Sequence, residues 1–112
     1  MSTIGKIEGE RMAALACINR VLLRAAELDW ESASLDTLEE IKDRLEGVAP
    51  CASHDGAALR GTLTALRSAT SRLNAVADVM KTPTDFSHRM PVLVTSASAI
   101  VGQVAKLRNG KH

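Results

Sequence analysis

Residues 59–80 read LRGTLTALRSATSRLNAVADVM. Within them Leu59, Leu63, Leu66, Thr70, Leu73, Ala77 and Met80 recur at alternating steps of four and three. That spacing holds one face of a helix toward a partner for about six turns. A strand would turn its side chains over at every residue and scatter the same set across two faces. The segment is therefore a long helix with a coiled-coil-like seam, Thr70 being its one polar position. A lone helix of this kind is marginal in water, so the seam demands other helices to pack against.

Those helices lie on both sides of it. Asp55 or Ser53 can cap the seam helix, and Thr82 and Pro83 end it. On the C-terminal side a last helix is expected from about Pro91, a residue suited to a first turn, to about Arg108, with Gly110 as its cap. Leu93, Ala97, Ile100, Val101, Val104 and Leu107 form its apolar face. The rest of that helix carries Thr95, Ser96, Ser98 and Gln103 in place of charge, which suits a helix central in a bundle or covered by a partner. On the N-terminal side a first helix runs from about Gly5 to about Asp29, with Ala14, Leu15, Ile18, Val21, Leu22, Ala25 and Leu28 on one face. Arg20 and Arg24 flank that face and can cover its edge with their stems.

Between the two comes a short helix ending near Glu46, with Leu38, Ile41, Leu45 and Val48 inward and Gly47 and Pro50 as its stop. Ser32, Ser34 and Asp36 can each cap it, and Asp36 with Glu39 has the spacing of a capping box. A loop from Ala49 to His54 follows.

The expected fold is all-α: one domain over residues 1–112, an elongated bundle of three long helices with the short one connecting them. Trp30 and Phe86 are the only aromatic residues, so Leu, Ile, Val, Met and Ala must build the core. Three broad apolar faces do not fully cover one another, and homodimerisation is one way to finish the burial. No apolar run between Met1 and Glu10 reaches signal-peptide length, and the uncharged stretch Met90–Ala105 falls short of the ~20 residues of a spanning helix. Two cysteines, Cys17 and Cys51, make no disulfide framework. A soluble protein of a reducing cytoplasm, with no membrane partner, is expected.

Charge is distributed unevenly along the chain. From Glu27 to Glu46 eight acidic residues face only Lys42 and Arg44, a balance of −6. From Gly56 to His112 the balance is +6, Arg60, Arg67, Arg72, Lys81, Arg89, Lys106, Arg108 and Lys111 facing Asp78 and Asp85. Helix dipoles account for part of this, since Asp36, Glu39 and Glu40 lie at a helix start and Lys106, Arg108 and Lys111 at a helix end. The faces can also simply attract each other within the fold. Glu27, Asp29 and Glu31 are different, because they place negative charge at the end of the first helix, against its dipole. Trp30 sits among them. It either closes one end of the core or anchors a partner-binding patch, the two common fates of a tryptophan.

No constellation here carries chemistry. Cys51 and His54 form a C-x-x-H, but zinc needs about four ligands at defined spacing and Cys17, His88 and His112 form no second pair. Cys17 reads instead as a small apolar group at the edge of the first helix. Ser53, His54 and Asp55 are consecutive, whereas a triad converges from distant residues. Asp85, Ser87 and His88 read as turn and cap residues before Pro91. No Gly-rich loop follows a strand, and the carboxylates of the second helix have no E-x-x-H opposite them to make a di-metal site. No metal and no cofactor is expected.

The function this leaves is a non-enzymatic helical interaction module of the inhibitor, adaptor or chaperone type. It would bind a protein or complex with a basic surface through Glu27, Asp29, Trp30, Glu31, Asp36, Glu39, Glu40 and Asp43. The alternative is a nucleic-acid binder using Arg60, Arg67, Arg72, Lys106 and Arg108, with the second and third helices as a helix-turn-helix that presents Arg60, Thr62, Thr64 and Arg67 to the groove. Against the alternative stand an acidic second helix and a pI near 7.8.

Overall fold

The computed structural model describes residues 3–48 and 56–109, and the side chains of those up to 106. Among the described residues there are four helices: α1 (Thr3–Glu27), α2 (Ala33–Gly47), α3 (Gly56–Asp78) and α4 (Pro83–Asn109). They form an all-α bundle of 44 × 21 × 19 Å. Its radius of gyration is 14.5 Å, above the ~13 Å of a compact domain of this length. The elongation follows from α1, α3 and α4, each of 23 to 27 residues, lying side by side.

Cross-contacts fix the directions. Cys17, Arg20 and Arg24 of α1 meet Leu73, Asn74 and Met80 in the same order, so α1 and α3 run parallel. The short turn 79–82 sends α4 back antiparallel to α3. α2 runs back along α1, and Arg11 reaches the carbonyl of Leu45 near its far end. α2 and α4 are therefore parallel. Around the bundle the order is α1, α3, α4, α2, and among the described residues α2 makes no contact with α3.

The core follows the seams. Leu59, Leu63, Leu66, Thr70, Leu73 and Met80 are buried as their spacing requires. Phe86, Met90, Leu93, Ala97, Ile100 and Val104 supply a second unbroken four-three row from α4. Leu38, Ile41, Leu45 and Val48 close the remaining side, so α2 is a fourth wall of the bundle and more than a connector. At about 22 Å, α2 covers only half the length of α4. Cys17 is fully buried, within the core rather than at its edge. Its thiol points at the carbonyl of Leu73, and burial pushes its pKa up.

Helix starts differ from expectation in two places. α2 is capped by Ser32, whose hydroxyl accepts from the amide of Ser34, so Asp36 lies in the first turn and forms no capping box with Glu39. α4 begins at Pro83, well before Pro91. Its capping box is Thr82 with Asp85: the Thr82 hydroxyl accepts from the Asp85 amide, and the Asp85 carboxylate accepts from the amides of Thr82 and Lys81. Those bonds hold the Asp85 pKa down. Ser87 and His88 are helical, not turn residues. Pro91 cannot donate to the carbonyl of Ser87, a loss of roughly 3 kcal/mol in a helix interior. Burying Phe86 and Met90 completely returns about 1.5–3 kcal/mol each, which outweighs it.

Candidate interaction surface

The α1–α2 corner is built by a Schellman turn. The Trp30 amide donates to the Ala25 carbonyl at 2.9 Å and the Asp29 amide to that of Ala26 at 3.1 Å. The turn requires a left-handed residue, and Asp29 takes it at φ 54°. Asp tolerates this region better than most side chains, though less well than glycine. The same turn carries Trp30 over the start of α4. Its ring stands 5.3 Å from that of Phe86, tilted by 50°, and its indole N–H donates to the Ser87 hydroxyl at 3.3 Å. Trp30 is half-buried and packs against the core, with one side of the ring left at the surface.

Around it Glu27, Asp29 and Glu31 are exposed. Asp36, Glu39, Glu40 and Asp43 are also exposed, and their spacing puts them on one ridge of α2, turned away from Leu38, Ile41 and Leu45. Among the described residues the one ion pair is Glu8 with Arg11, so none of these seven carboxylates has a cation partner. Within the ridge, like charges stand three and four residues apart, each such pair costing about 0.2–0.5 kcal/mol. Only Asp36, in the first turn, is helped by the helix dipole.

The basic residues lie elsewhere. Arg60 and Arg67, a heptad apart, share one flank of α3, while Arg72 falls on the opposite flank and donates to Ser68. Lys106 is exposed on α4, and the side chain of Arg108 lies outside the described residues, as does Lys111. Because α2 and α3 occupy opposite sides of the bundle, the carboxylates of α2 and the arginines of α3 do not neutralise each other, while α4, which carries Arg89 and Lys106, packs beside α2. For the same reason α2 and α3 do not pack as a helix-turn-helix, which needs its two helices in contact. Cys51, Ser53, His54, Asp55 and Gly110 lie outside the described residues.

Two features escaped the sequence reading. Arg11 occupies a seam position of α1, between Ile7 and Ala14. Its guanidinium donates to the Leu45 carbonyl at 2.7 Å and is held from behind by Glu8, whose pKa it lowers. It thereby caps the C-terminus of α2 from another helix. The gap in the α1 repeat, filled by a cation, was the available signal. The second feature is an open groove of about 340 Å³ between the upper parts of α1 and α3, lined among others by Leu23, Met80 and Phe86. Arg20, Arg24 and Lys81 border it together with Glu27 and Asp78, so it favours neither sign of ligand.

No protein-family model, curated protein or solved structure matches the chain. No described helix is long and apolar enough to cross a membrane.

Proposed function

We propose that the chain is a non-enzymatic interaction module that binds a basic surface on another protein through its α1–α2 corner and the outer ridge of α2. The observation that carries this reading is the set of exposed carboxylates at Asp36, Glu39, Glu40 and Asp43, unpaired among the described residues and mutually repulsive. A ridge that costs the monomer free energy is relieved when cations are brought to it from outside. Trp30, half-covered at the corner, offers an aromatic edge beside the charge, the usual composition of an interface anchor. Electrostatics of this kind set the association rate and its salt dependence more than the final affinity.

The test is a pull-down from source-cell lysate with the tagged chain, with and without nuclease, repeated with Glu39, Glu40 and Asp43 reversed to Lys. A specific protein retained after nuclease and lost on reversal supports the reading. Capture that depends on nucleic acid and is lost when Arg60, Arg67 and Arg72 are reversed replaces it with the basic-face alternative. Retention unchanged by the acidic reversals refutes it.

A further inference from the structure

The core-facing side of α1 is spent on the bundle, but its opposite side carries a second repeat. Gly9, Met12, Ala16, Asn19, Leu23 and Ala26 follow one another at steps of three and four, and all six are exposed. Met12 and Leu23, at 54% and 68% exposure, are among the few large apolar side chains left in water. This is the spacing of a coiled-coil seam facing outward, with one polar residue, Asn19, in it. Gly9 adds to the pattern. A Cβ there would touch nothing within 4 Å, as at Gly61 and Gly102, so the position is open and leaves room for a second backbone to come close.

We infer that this face of α1 binds a second copy of the chain, with the two α1 helices antiparallel. The antiparallel arrangement sets Met12 against Leu23 of the other copy and Leu23 against its Met12. Ala16 then meets Asn19, and Gly9 meets Ala26, small against small. On one flank, Lys6 and Glu27 of each copy face Glu27 and Lys6 of the other. A parallel pair would set each seam residue against itself and would keep Lys6 and Glu27 far apart. On the other flank Glu8 is already occupied by Arg11. Charge complementarity thus picks out both the occupant and its direction. The seam is rich in small residues and one helix wide. A seam this narrow is smaller than a standard interface, so a weak dimer, with Kd on the order of micromolar, is the expected outcome.

The experiment is analytical ultracentrifugation of the purified full chain over about 1–500 µM, with helicity checked by circular dichroism for each variant. The wild type should pass from monomer to dimer across this range. Leu23→Glu, on an exposed position that does not contribute to the core, should weaken the dimer at least about a hundredfold while staying folded. Lys6→Glu and Glu27→Lys should each weaken it about threefold to thirtyfold, because each change turns two attractions into repulsions. Combined in one chain, the two changes should restore the affinity to within about threefold of wild type. A wild type that stays monomeric throughout, or a dimer indifferent to Leu23→Glu, overturns the inference. A double variant no better than the single ones overturns the antiparallel pairing.

Discussion

Arg11 is a polar residue in a hydrophobic seam, and replacing it with alanine tests whether α2 depends on it. The bond from its guanidinium to the Leu45 carbonyl is short and charge-assisted, worth about 1.5–3 kcal/mol. The contact to the Glu46 carbonyl is 3.4 Å long and exposed, and adds little. The pairing with Glu8 is discounted to about 0.2–1 kcal/mol, because the glutamate side chain remains 40% exposed. Arg11→Ala should therefore cost about 2–4 kcal/mol, lowering Tm by roughly 10 °C. Urea unfolding followed by circular dichroism gives the number. Hydrogen exchange at Glu46, Gly47 and Val48 shows whether the loss is local to the end of α2. Glu8→Gln, which leaves the cap in place, should cost under about 1 kcal/mol. Equal costs for the two variants would refute the capping argument. Acid adds a second signature. Arg11 holds the Glu8 pKa below its ordinary value, so the stabilisation is complete above the unfolded-state pKa, about 4.3, and is lost as pH falls through the folded value. Asp85, lowered by the amides of Lys81 and Thr82, has the same sign. Glu8→Gln combined with Asp85→Asn should flatten the fall in stability between about pH 5 and pH 3.

Thr70→Val should raise stability by about 1 kcal/mol in urea unfolding, because the buried Thr70 hydroxyl has no hydrogen-bond partner among the described residues; a loss would mean that the hydroxyl is satisfied. Asp29→Gly should stabilise by about 0.5–1 kcal/mol through relief of the left-handed backbone, and an unchanged melting curve would show that aspartate bears no strain there. Pro91→Ala should stabilise by about 1–3 kcal/mol in urea unfolding by restoring the bond to Ser87, and a loss of stability would refute the cost assigned to proline there. Trp30→Ala should cost about 2–3 kcal/mol, less than a fully buried ring, and leave a folded chain; complete unfolding would assign Trp30 wholly to the core.

Periodicity made the helices and most of the core legible. Leu59 to Met80 and Leu93 to Val104 were placed correctly because a four-three repeat has only one structural reading. Pro91 misled because proline is both a common first-turn residue and a tolerable interior one. The row Phe86, Met90, Leu93 held the answer, and burial prevailed over the local preference. At α2 the capping-box spacing of Asp36 and Glu39 pointed one turn too late, because Ser32 caps the helix and Leu35, partly buried, already belongs to its first turn. Charge asymmetry was legible as numbers but not as geometry: that α2 and α3 fall on opposite sides depends on the order of helices around the bundle, which no local pattern encodes. Arg11 was missed because a cation in a seam reads as an interruption until the carbonyls it serves are brought beside it.

The parallel pairing of α1 with α3 has a kinetic consequence. Cys17 and Leu73 are 56 residues apart, whereas α3 and α4 are joined by a few. Closing the longer loop costs roughly 2 kcal/mol more in chain entropy than closing the shorter one. Both α1–α2 and α3–α4 close over a few residues, but the α3–α4 hairpin joins two long helices with facing four-three rows and is the expected nucleus, with α1 and α2 docking onto it afterwards. Shortening Leu73 or Phe86 then slows folding, while shortening Ile18 or Val21 chiefly speeds unfolding. A bundle whose neighbours were consecutive in sequence would assemble faster from more local contacts. This chain carries a slower search as the cost of setting α2 and α3 on opposite sides.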